Sequence, residues 1–362
     1  MGITPLHKWI PNLKKPLVIA GPCSAETREQ MLQTAKELVQ IEDVRIFRAG
    51  IWKPRTRPNS FEGVGEEGLK WLKEVKEQTG LLTSTEVANA GHVELALKHD
   101  VDILWIGART SVNPFSVQEI ADVLKGTDIP VMVKNPINAD LALWQGAIER
   151  MMGAGITKLA AIHRGFSTFE KSKYRNNPIW RIPMELKLLM PDLPIICDPS
   201  HITGDRSLVQ YVCQKAMDID MDGVMIETHP TPEQAWSDAA QQVTPKSLAE
   251  IIQSLNVRTE FTTDRNFSAE LEDLRKNIDR IDNEILEALS MRTNIVERIA
   301  EAKHKNNITA LQVHRMDQLM NNRISSGVKI GLREKFIKEI YNVIHEDSVK
   351  TQNEIMNAKE NE

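Results

Sequence analysis

The sequence predicts an α/β protein in which a (β/α)8 TIM barrel precedes a small all-α domain of three helices. The first observation is that eight short apolar runs alternate with amphipathic stretches, and eight such units over about 250 residues are typical of a closed barrel. The second is that ionisable residues follow almost every run. The third is a helical periodicity in the last part of the chain. An open doubly wound sheet is the alternative to the barrel, but no glycine-rich dinucleotide loop follows the first run.

The predicted strands are the apolar runs themselves. In chain order they are Leu17–Ala20, Val44–Phe47, Leu81–Ser84, Ile103–Ile106, Val131–Val133, Leu159–Ile162, Ile195–Cys197 and Val224–Ile226. The predicted helices between them include Arg28–Gln40, Glu66–Gln78, Val93–His99, Val117–Leu124 and Ser207–Met217. A closed barrel builds its active site from the loops at the carboxyl ends of its strands. The residues just after each run are therefore the candidates for chemistry.

Composition excludes several classes of protein. The chain has 362 residues, of which 41% are hydrophobic and 26% charged, as expected of a globular protein with two domains. Its net charge of -5 gives no support for a nucleic-acid partner. No apolar run reaches the roughly 18 residues of a transmembrane helix, so no membrane association is expected.

Cysteine usage and the first residues predict a cytoplasmic protein. Cys23, Cys197 and Cys213 are too few and too scattered for a disulfide framework, so we expect reduced thiols. The opening MGITPLHKWIP contains no apolar signal core, and Leu6 stands where a myristoylation signal needs Ser or Thr.

Four residues after different strands form a mixed set of metal-binding groups. They are Cys23, His201, Glu227 and Asp238. Sulfur, nitrogen and carboxylate donors together suit one divalent metal such as Mn, Fe, Co or Zn rather than Mg alone. A single buried cysteine usually only packs, and a lone histidine at a strand end is usually just hydrogen-bonded. The metal prediction therefore depends on the set.

Five cations follow four of the predicted strands. They are Arg48, Lys53, Arg109, Lys134 and Arg164. In one barrel mouth they would repel each other unless a multiply charged ligand compensates, which favours a phosphorylated carboxylate. Arg55 and Thr56 then remain for a second phosphate. Taken alone, the K-P-R-T segment would be interpreted as a solvated surface turn.

The motifs GPCS, R-x4-KPRT, GART, VKNP, HRG, DPSH, IETHP and WSDAAQ occur in this order. Together they resemble 3-deoxy-D-arabino-heptulosonate-7-phosphate (DAHP) synthase, in the β subgroup of its type I class, over roughly residues 14–255. The resemblance implies condensation of phosphoenolpyruvate with erythrose 4-phosphate, the first step towards chorismate. Octulosonate-8-phosphate synthase is the alternative, but that branch has K-A-N-R-S-S in place of KPRT and D-V-T-H in place of DPSH.

The resemblance also implies roles for individual residues. The metal ligands would be Cys23, His201, Glu227 and Asp238. The phosphoenolpyruvate site would be Arg48, Lys53, Arg109, Lys134 and Arg164. The erythrose 4-phosphate site would be Lys53, Pro54, Arg55 and Thr56. Lys53 would also act as proton donor to the new alkoxide, and Glu86 would help to place the attacking water.

The last third of the chain is predicted to form three helices after a polar linker. We expect a barrel domain over 1–255, a linker over 256–267 and a helical domain over 268–362. Ser268 is predicted to cap the first helix, the second to run near Leu311–Ile324, and the third to begin near Leu332 after a turn in SSGVKIG. On periodicity alone, these helices indicate a coiled-coil dimerisation tail.

Polar positions recur in the segments LRKNIDRIDNEIL, MRTNIVERIAEAK and HEDSVKTQ. With these positions, the helices resemble chorismate mutase of the all-helical class over about 268–355. The resemblance implies carboxylate clamps at Arg275, Arg292 and Arg315, and bonds from Lys303 and Gln352 to the ether oxygen of chorismate. Gln312 and Met316 depart from the family pattern of Asp and Glu, which implies weaker recognition of the substrate hydroxyl. The alternative is a non-catalytic module for dimerisation and ligand sensing.

Two further expectations concern assembly and regulation. Arg275 and Arg292 are about 17 residues apart on one predicted helix, or about 25 Å by helical rise. Both cannot reach one ligand of the size of chorismate from the same chain, so we expect at least a homodimer, intertwined through the mutase helices. Because the mutase is the one other folded unit, we expect that its occupancy, chiefly by prephenate, inhibits the synthase.

Overall fold

The computed structural model describes residues 2–53, 61–169, 172–258 and 264–360. The chain forms two compact units, 1–260 and 261–362. The first unit is a closed barrel of eight parallel strands in chain order, which confirms the predicted fold. The strands are β1 (Leu17–Gly21), β2 (Val44–Arg48), β3 (Leu82–Val87), β4 (Ile103–Ile106), β5 (Val131–Lys134), β6 (Leu159–His163), β7 (Ile195–Cys197) and β8 (Gly223–Glu227).

Several strands extend past their apolar runs into the chemistry-bearing residues. Arg48, Lys134 and Glu227 are the last residues of β2, β5 and β8 rather than loop residues. In the closing pair, β1 and β8 run from Leu17 beside Gly223 to Gly21 beside Glu227. These charged groups are therefore placed by the strands themselves.

Helices cover the outside of the barrel. They are α1 (Arg28–Leu38), α2 (Glu66–Thr79), α3 (Ala90–Lys98), α4 (Pro114–Leu124), α5 (Leu141–Gly153), α6 (Arg181–Leu189), α7 (Pro199–Thr203), α8 (Val209–Asp218) and α9 (Pro245–Ser254). Two predicted helix starts, Val93 and Val117, are too late because capping groups fix the starts of α3 and α4. Asn89 accepts the backbone N–H of His92, and Asn113 accepts those of Phe115 and Ser116.

The apolar core of the barrel has two layers. One lies between the strands and the helices. The other fills the barrel interior and includes Ile19 and Trp105. Leu6, Trp9 and Ile10, in and after a short helical turn, belong to this inner layer and lie at its amino-terminal end. The segment before β1 therefore closes the floor of the barrel.

The second unit consists of α10 (Arg265–Lys305), α11 (Val313–Lys329) and α12 (Glu334–Glu360). The predicted cap at Ser268 is wrong. The carboxylate of Asp264 caps α10 by accepting the backbone N–H groups of Asn266 and Phe267. Ser268 lies in the first turn, where its hydroxyl donates to Asp264 O at 2.8 Å. The expected linker 256–267 thus includes the first residues of this helix.

The helix α11 continues to Lys329, five residues past its predicted end at Ile324, so the turn predicted in SSGVKIG lies at the last two residues of that segment, Ile330 and Gly331. Gly327 serves packing here, because a Cβ at this position would lie 2.5 Å from Ile337 Cδ1. Gly331, two residues past the end of α11, has a φ of +90° that suits glycine. The third helix accordingly begins at Glu334 and not at Leu332.

The amino-terminal half of α10 carries an exposed apolar face. Leu274, Ile278, Ile281 and Ile285 are 46–57% exposed, although they recur at helical spacing. The 41 residues of α10 span about 60 Å. Over the described ranges, none of the helices is long and apolar enough to cross a membrane.

Candidate active sites

The predicted metal ligands converge at the carboxyl end of the barrel. The ligand atoms of Cys23, Glu227 and Asp238 all lie within 4.8 Å of one another. Cys23 Sγ is 3.5 Å from Asp238 Oδ2. His201 Nε2 is 3.7 Å from Glu227 Oε1. Four residues far apart in sequence therefore surround one small volume.

The chemistry of this donor set fits a divalent transition metal. Glu227 Oε1 is buried and has no hydrogen-bond partner, whereas Oε2 accepts a bond from Gln241 Nε2 at 2.7 Å. Burial and the carboxylate of Glu227 raise the pKa of the Cys23 thiol to about 12. A cation bound here would stabilise the thiolate that burial disfavours.

A second layer of polar groups orients these ligands. Arg175 Nη1 donates to Asp238 Oδ1 at 3.0 Å, and His201 Nδ1 lies 2.9 Å from Asp198 Oδ2. The backbone N–H of Glu227 donates to Ser200 Oγ at 3.0 Å. Such partners fix the direction in which each ligand atom points.

Sequence reasoning missed the residues of this second layer. Asp198 and Ser200 stand inside the DPSH motif and Gln241 inside WSDAAQQ, so the motifs held a usable signal. No signal in the sequence indicates Arg175, because it lies in an aperiodic segment well after β6. Its position beside Asp238 arises only from the tertiary fold.

Two of the predicted cations are buried against one indole. The Arg48 guanidinium carbon lies 4.9 Å from the ring centroid of Trp105, and Lys134 Nζ lies 5.7 Å from it. Arg48 Nη1 is also 3.3 Å from Glu227 Oε1, and Lys134 Nζ donates to Asp198 Oδ2 at 2.8 Å. These cations are placed by stacking and pairing before any substrate arrives.

The remaining cations extend this group. Lys53 Nζ donates to Cys23 Sγ at 3.0 Å and to Cys23 O at 3.1 Å. Burial, with added repulsion from Arg175 and Arg109, lowers the pKa of Arg164 to about 10. Arg109 itself is exposed. All five cations therefore contribute to the charge of one barrel mouth, where an anion would relieve their repulsion.

Lys53 keeps its proton in this setting. Burial alone would lower the pKa of Lys53, but Cys23 and Glu227 beside it outweigh burial and raise it. Pro54, Arg55 and Thr56, the other residues predicted for the second phosphate, lie outside the described residues. Lys53 is therefore the described member of that predicted site.

Glu86 enters the barrel interior beside Trp105. Its Oε2 accepts the Trp105 Nε1–H at 3.0 Å. A Cβ on Gly107 would lie 2.1 Å from Glu86 Oε1, so glycine is required there for the carboxylate to fit. The indole thus joins the predicted water-placing carboxylate to Arg48 and Lys134.

In the helical unit, Ser348 brings Arg292 and Gln352 together, whereas Lys303 bonds to the segment that follows its own helix. Arg292 Nη1 donates to Ser348 Oγ, and Gln352 Nε2 donates to Ser348 O at 3.0 Å. Gln352 Oε1 is buried without a hydrogen-bond partner. Lys303 Nζ donates to Ala310 O at 2.6 Å. Ser348 was missed, although it lies one helical turn before Gln352.

Arg275 and Arg315 are exposed on α10 and α11. Arg275 lies about 25 Å along α10 from Arg292. Met316 lines a cavity of about 530 Å³ together with Leu311 and His345. Methionine supplies no carboxylate to this cavity.

Comparison with protein families gives two matches. The DAHP synthetase I family matches residues 10–263, and chorismate mutase type II matches residues 274–353. The phospho-2-dehydro-3-deoxyheptonate aldolase of Thermotoga maritima is 34% identical over 238 residues, covering 66% of this chain and 68% of the relative. A 2-dehydro-3-deoxyphosphooctonate aldolase of Caulobacter vibrioides is 27% identical and covers 68% of this chain and 88% of the relative.

Solved structures give the same picture of the barrel. The crystal structure of the Thermotoga maritima DAHP synthase superposes with a TM-score of 0.61 at 30% identity, covering 70% of this chain and 72% of that one. A truncated form of the same organism's synthase gives a TM-score of 0.57 at 30% identity, covering 65% and 83%.

Proposed function

The chain belongs to the DAHP synthetase I family and carries a C-terminal chorismate mutase type II domain, so it is a bifunctional shikimate-pathway enzyme, and we propose that its synthase reaction depends on one divalent metal. The ligands would be Cys23, His201, Glu227 and Asp238. We assign the synthase to 1–255, the linker to 256–267 and the mutase to 268–362.

The observation that carries this proposal is the cluster of Cys23, Glu227 and Asp238 within 4.8 Å, with His201 beside it. The cluster lies next to the proposed substrate cations, since Lys53 contacts Cys23 and Arg48 contacts Glu227. When bound, Mn, Fe, Co or Zn would supply Lewis-acid polarisation of the aldehyde oxygen of erythrose 4-phosphate.

The protein's own residues would hold the substrates and move protons. Phosphoenolpyruvate would be bound by Arg48, Lys53, Arg109, Lys134 and Arg164, and erythrose 4-phosphate by Lys53, Pro54, Arg55 and Thr56. The vinyl carbon of phosphoenolpyruvate attacks the aldehyde carbon, and Lys53 gives its proton to the new alkoxide. Glu86 would orient the water that adds to the enol carbon, after which the C–O bond to phosphate breaks.

The octulosonate-8-phosphate alternative has weaker support. The 2-dehydro-3-deoxyphosphooctonate aldolase of Caulobacter vibrioides is 27% identical to this chain, whereas the phospho-2-dehydro-3-deoxyheptonate aldolase of Thermotoga maritima is 34% identical. The KPRT and DPSH segments also favour erythrose 4-phosphate. Steady-state rates with erythrose 4-phosphate and with a five-carbon aldose phosphate would separate the two.

For the mutase, we propose that Arg275, Arg292 and Arg315 clamp the two carboxylates of chorismate. Lys303 and Gln352 would donate to its ether oxygen, where the C–O bond breaks. A homodimer is proposed because Arg275 and Arg292 are too far apart along α10 for one site. The exposed apolar face of Leu274, Ile278, Ile281 and Ile285 would be buried by the second copy.

A non-catalytic sensor is the alternative for this domain. Such a sensor could bind carboxylates with arginines alone. The sequence also retains Lys303 and Gln352, whose Nζ and Nε2 groups are hydrogen-bond donors suited to an ether oxygen. This pair favours a working mutase.

We also propose that prephenate at the mutase site inhibits the synthase. The contacts of the chain divide it into the barrel and the helical unit, so the mutase is the candidate regulatory domain. A cytoplasmic location is proposed on the free thiols of the three cysteines. The other partners would be the small-molecule substrates, with no nucleic acid and no membrane.

The central test is an assay of both reactions in the full chain with and without chelator. The synthase reaction should be lost on chelation and return with a divalent transition metal, while the mutase reaction is unchanged. Synthase activity that resists exhaustive chelation would refute the metal site.

A further inference from the structure

The loops after β1 and β8 are joined by buried hydrogen bonds beside the metal cluster. The hydroxyls of Ser24 and Ser237 bond to each other. Gln242 Oε1 accepts the backbone N–H of Cys23 at 3.0 Å, and Gln242 Nε2 donates to Ser237 O at 2.9 Å. One loop carries Cys23 and the other carries Asp238, so these bonds set the distance between two proposed ligands.

A contact between a carboxylate and an imidazole extends this connection beyond the ligands. Glu26 is 5% exposed, and its Oε1 accepts the backbone N–H of Trp236 at 2.7 Å. Its Oε2 lies 3.5 Å from His229 Nε2. His229 is 3% exposed, and its Nδ1 accepts the backbone N–H of Thr231 at 3.0 Å. Because Nδ1 is an acceptor, the ring hydrogen is on Nε2, which faces the carboxylate.

The segment held by this pair ends in a strained residue. Asp238 has a φ of +47°, in the left-handed region that disfavours residues other than glycine. Such a conformation persists only where the surroundings impose it. Glu26 fixes the backbone at Trp236, two residues earlier, while Arg175 holds Asp238 Oδ1. Oδ2 is thereby left facing Cys23 Sγ.

We propose that Glu26 and His229 are positioning residues that hold the Asp238 loop at the spacing a metal requires, and so determine metal affinity. Neither side chain is among the ligands, and the inference rests on the proposed metal site. Partners of this kind change metal affinity by about 10–100-fold when they are removed.

The test uses the full chain and Co²⁺ as the probe. The thiolate-to-cobalt absorption band reports coordination by Cys23, and competition with a chelator gives the Kd. Glu26→Gln keeps an acceptor for the Trp236 N–H but removes the charge facing His229. We expect its Kd to be about 10-fold higher or more. The matched control is Glu29→Gln, the same change three residues on, where the side chain is exposed; its Kd should equal that of the parent.

Two further measurements separate positioning from misfolding. Far-UV circular dichroism and thermal unfolding of each preparation confirm that the barrel is folded. His229→Asn, which leaves the Glu26–Trp236 bond intact, should also raise the Kd for Co²⁺. The Kd of the double variant should be little higher than that of the weaker-binding single variant, because the two residues act as a unit. A cobalt band in the parent with an unchanged Kd in folded Glu26→Gln would overturn this inference alone. A parent chain without the band would overturn the metal site and the inference with it.

Discussion

Lys53 Nζ donates to Cys23 Sγ at 3.0 Å, so the proposed proton donor is paired with a proposed metal ligand. A metal on the sulfur would compete with this bond and leave the Lys53 ammonium for the substrates. Metal binding and substrate binding would then be coupled through one thiolate.

Cys23→Ser is expected to raise the Kd for the metal, since a neutral hydroxyl lacks both the charge and the softness of a thiolate. Synthase activity at limiting metal should fall at least 10-fold and recover partly at high metal. Equilibrium dialysis with Co²⁺ or Zn²⁺ measures the change. Cys213→Ala, at another buried thiol, is the control and should bind metal as the parent does. Equal affinity in both variants would remove Cys23 from the ligand set.

Arg175→Ala is expected to weaken metal binding by about 10–100-fold, because Asp238 Oδ1 would lose its partner and the carboxylate could rotate. Arg181→Ala, at an exposed arginine that begins α6, is the charge-matched control. Chelator competition on the two purified variants makes the comparison. An Arg175 variant indistinguishable from the control would show that Asp238 is held without it.

Arg275→Ala and Arg292→Ala should complement each other. Each variant alone should lose at least 100-fold in mutase kcat/KM, because a carboxylate clamp is missing from every site. After subunit exchange, a heterodimer has one site that draws both arginines from unmodified positions. Mutase activity should recover towards a quarter of the parent value in an equimolar mixture. No recovery, with exchange verified by native mass spectrometry, would argue against a shared site.

The amide donor of the mutase should add no pH dependence to its rate in the range where a carboxyl group titrates. Gln352 is neutral at every pH, whereas Gln352→Glu donates only while its carboxyl is protonated. The variant's kcat/KM should therefore fall as the pH rises through the pKa of that carboxyl, while the parent stays flat there. Burial lowers the pKa of Lys303, so both proteins should lose activity at alkaline pH as this donor deprotonates. If the pH–rate profiles of the parent and of Gln352→Glu run parallel, Gln352 is excluded from the site.

Prephenate should inhibit the synthase in the intact chain. The coupling must be reciprocal for binding and is expected at about 1–3 kcal/mol. Synthase rates against prephenate in the parent, in Arg292→Ala and in a chain ending near Asn256 test this. Inhibition limited to the parent supports the proposal. Equal inhibition in all three, or none in the parent, would reject it.

Much of the barrel was predictable because parallel strands covered on both faces read as apolar runs. Their carboxyl ends then identified the side of the site, so Cys23, His201, Glu227 and Asp238 could be chosen before any coordinates. Arg175 could not, because its role depends on a contact between two loops that neither loop's sequence encodes.

The errors in the helical unit have a local cause. Gly327 lies in the SSGVKIG segment predicted as a turn, and glycine disfavours helices by about 1 kcal/mol. Close packing against Ile337 outweighs that preference in α11. Ser268 and Asp264 are both good capping residues, and the pattern of apolar residues alone does not decide between them.

The closed floor of the barrel has an electrostatic consequence. Leu6, Trp9 and Ile10 pack into the amino-terminal end of the interior, whereas Arg48, Lys134 and Glu86 lie towards the opposite end of their strands. A closing loop or a bound substrate at that end would leave these charges in a medium of low dielectric constant, where their fields are screened far less than in water. A segment remote from the proposed site would thus contribute to how strongly these charges act.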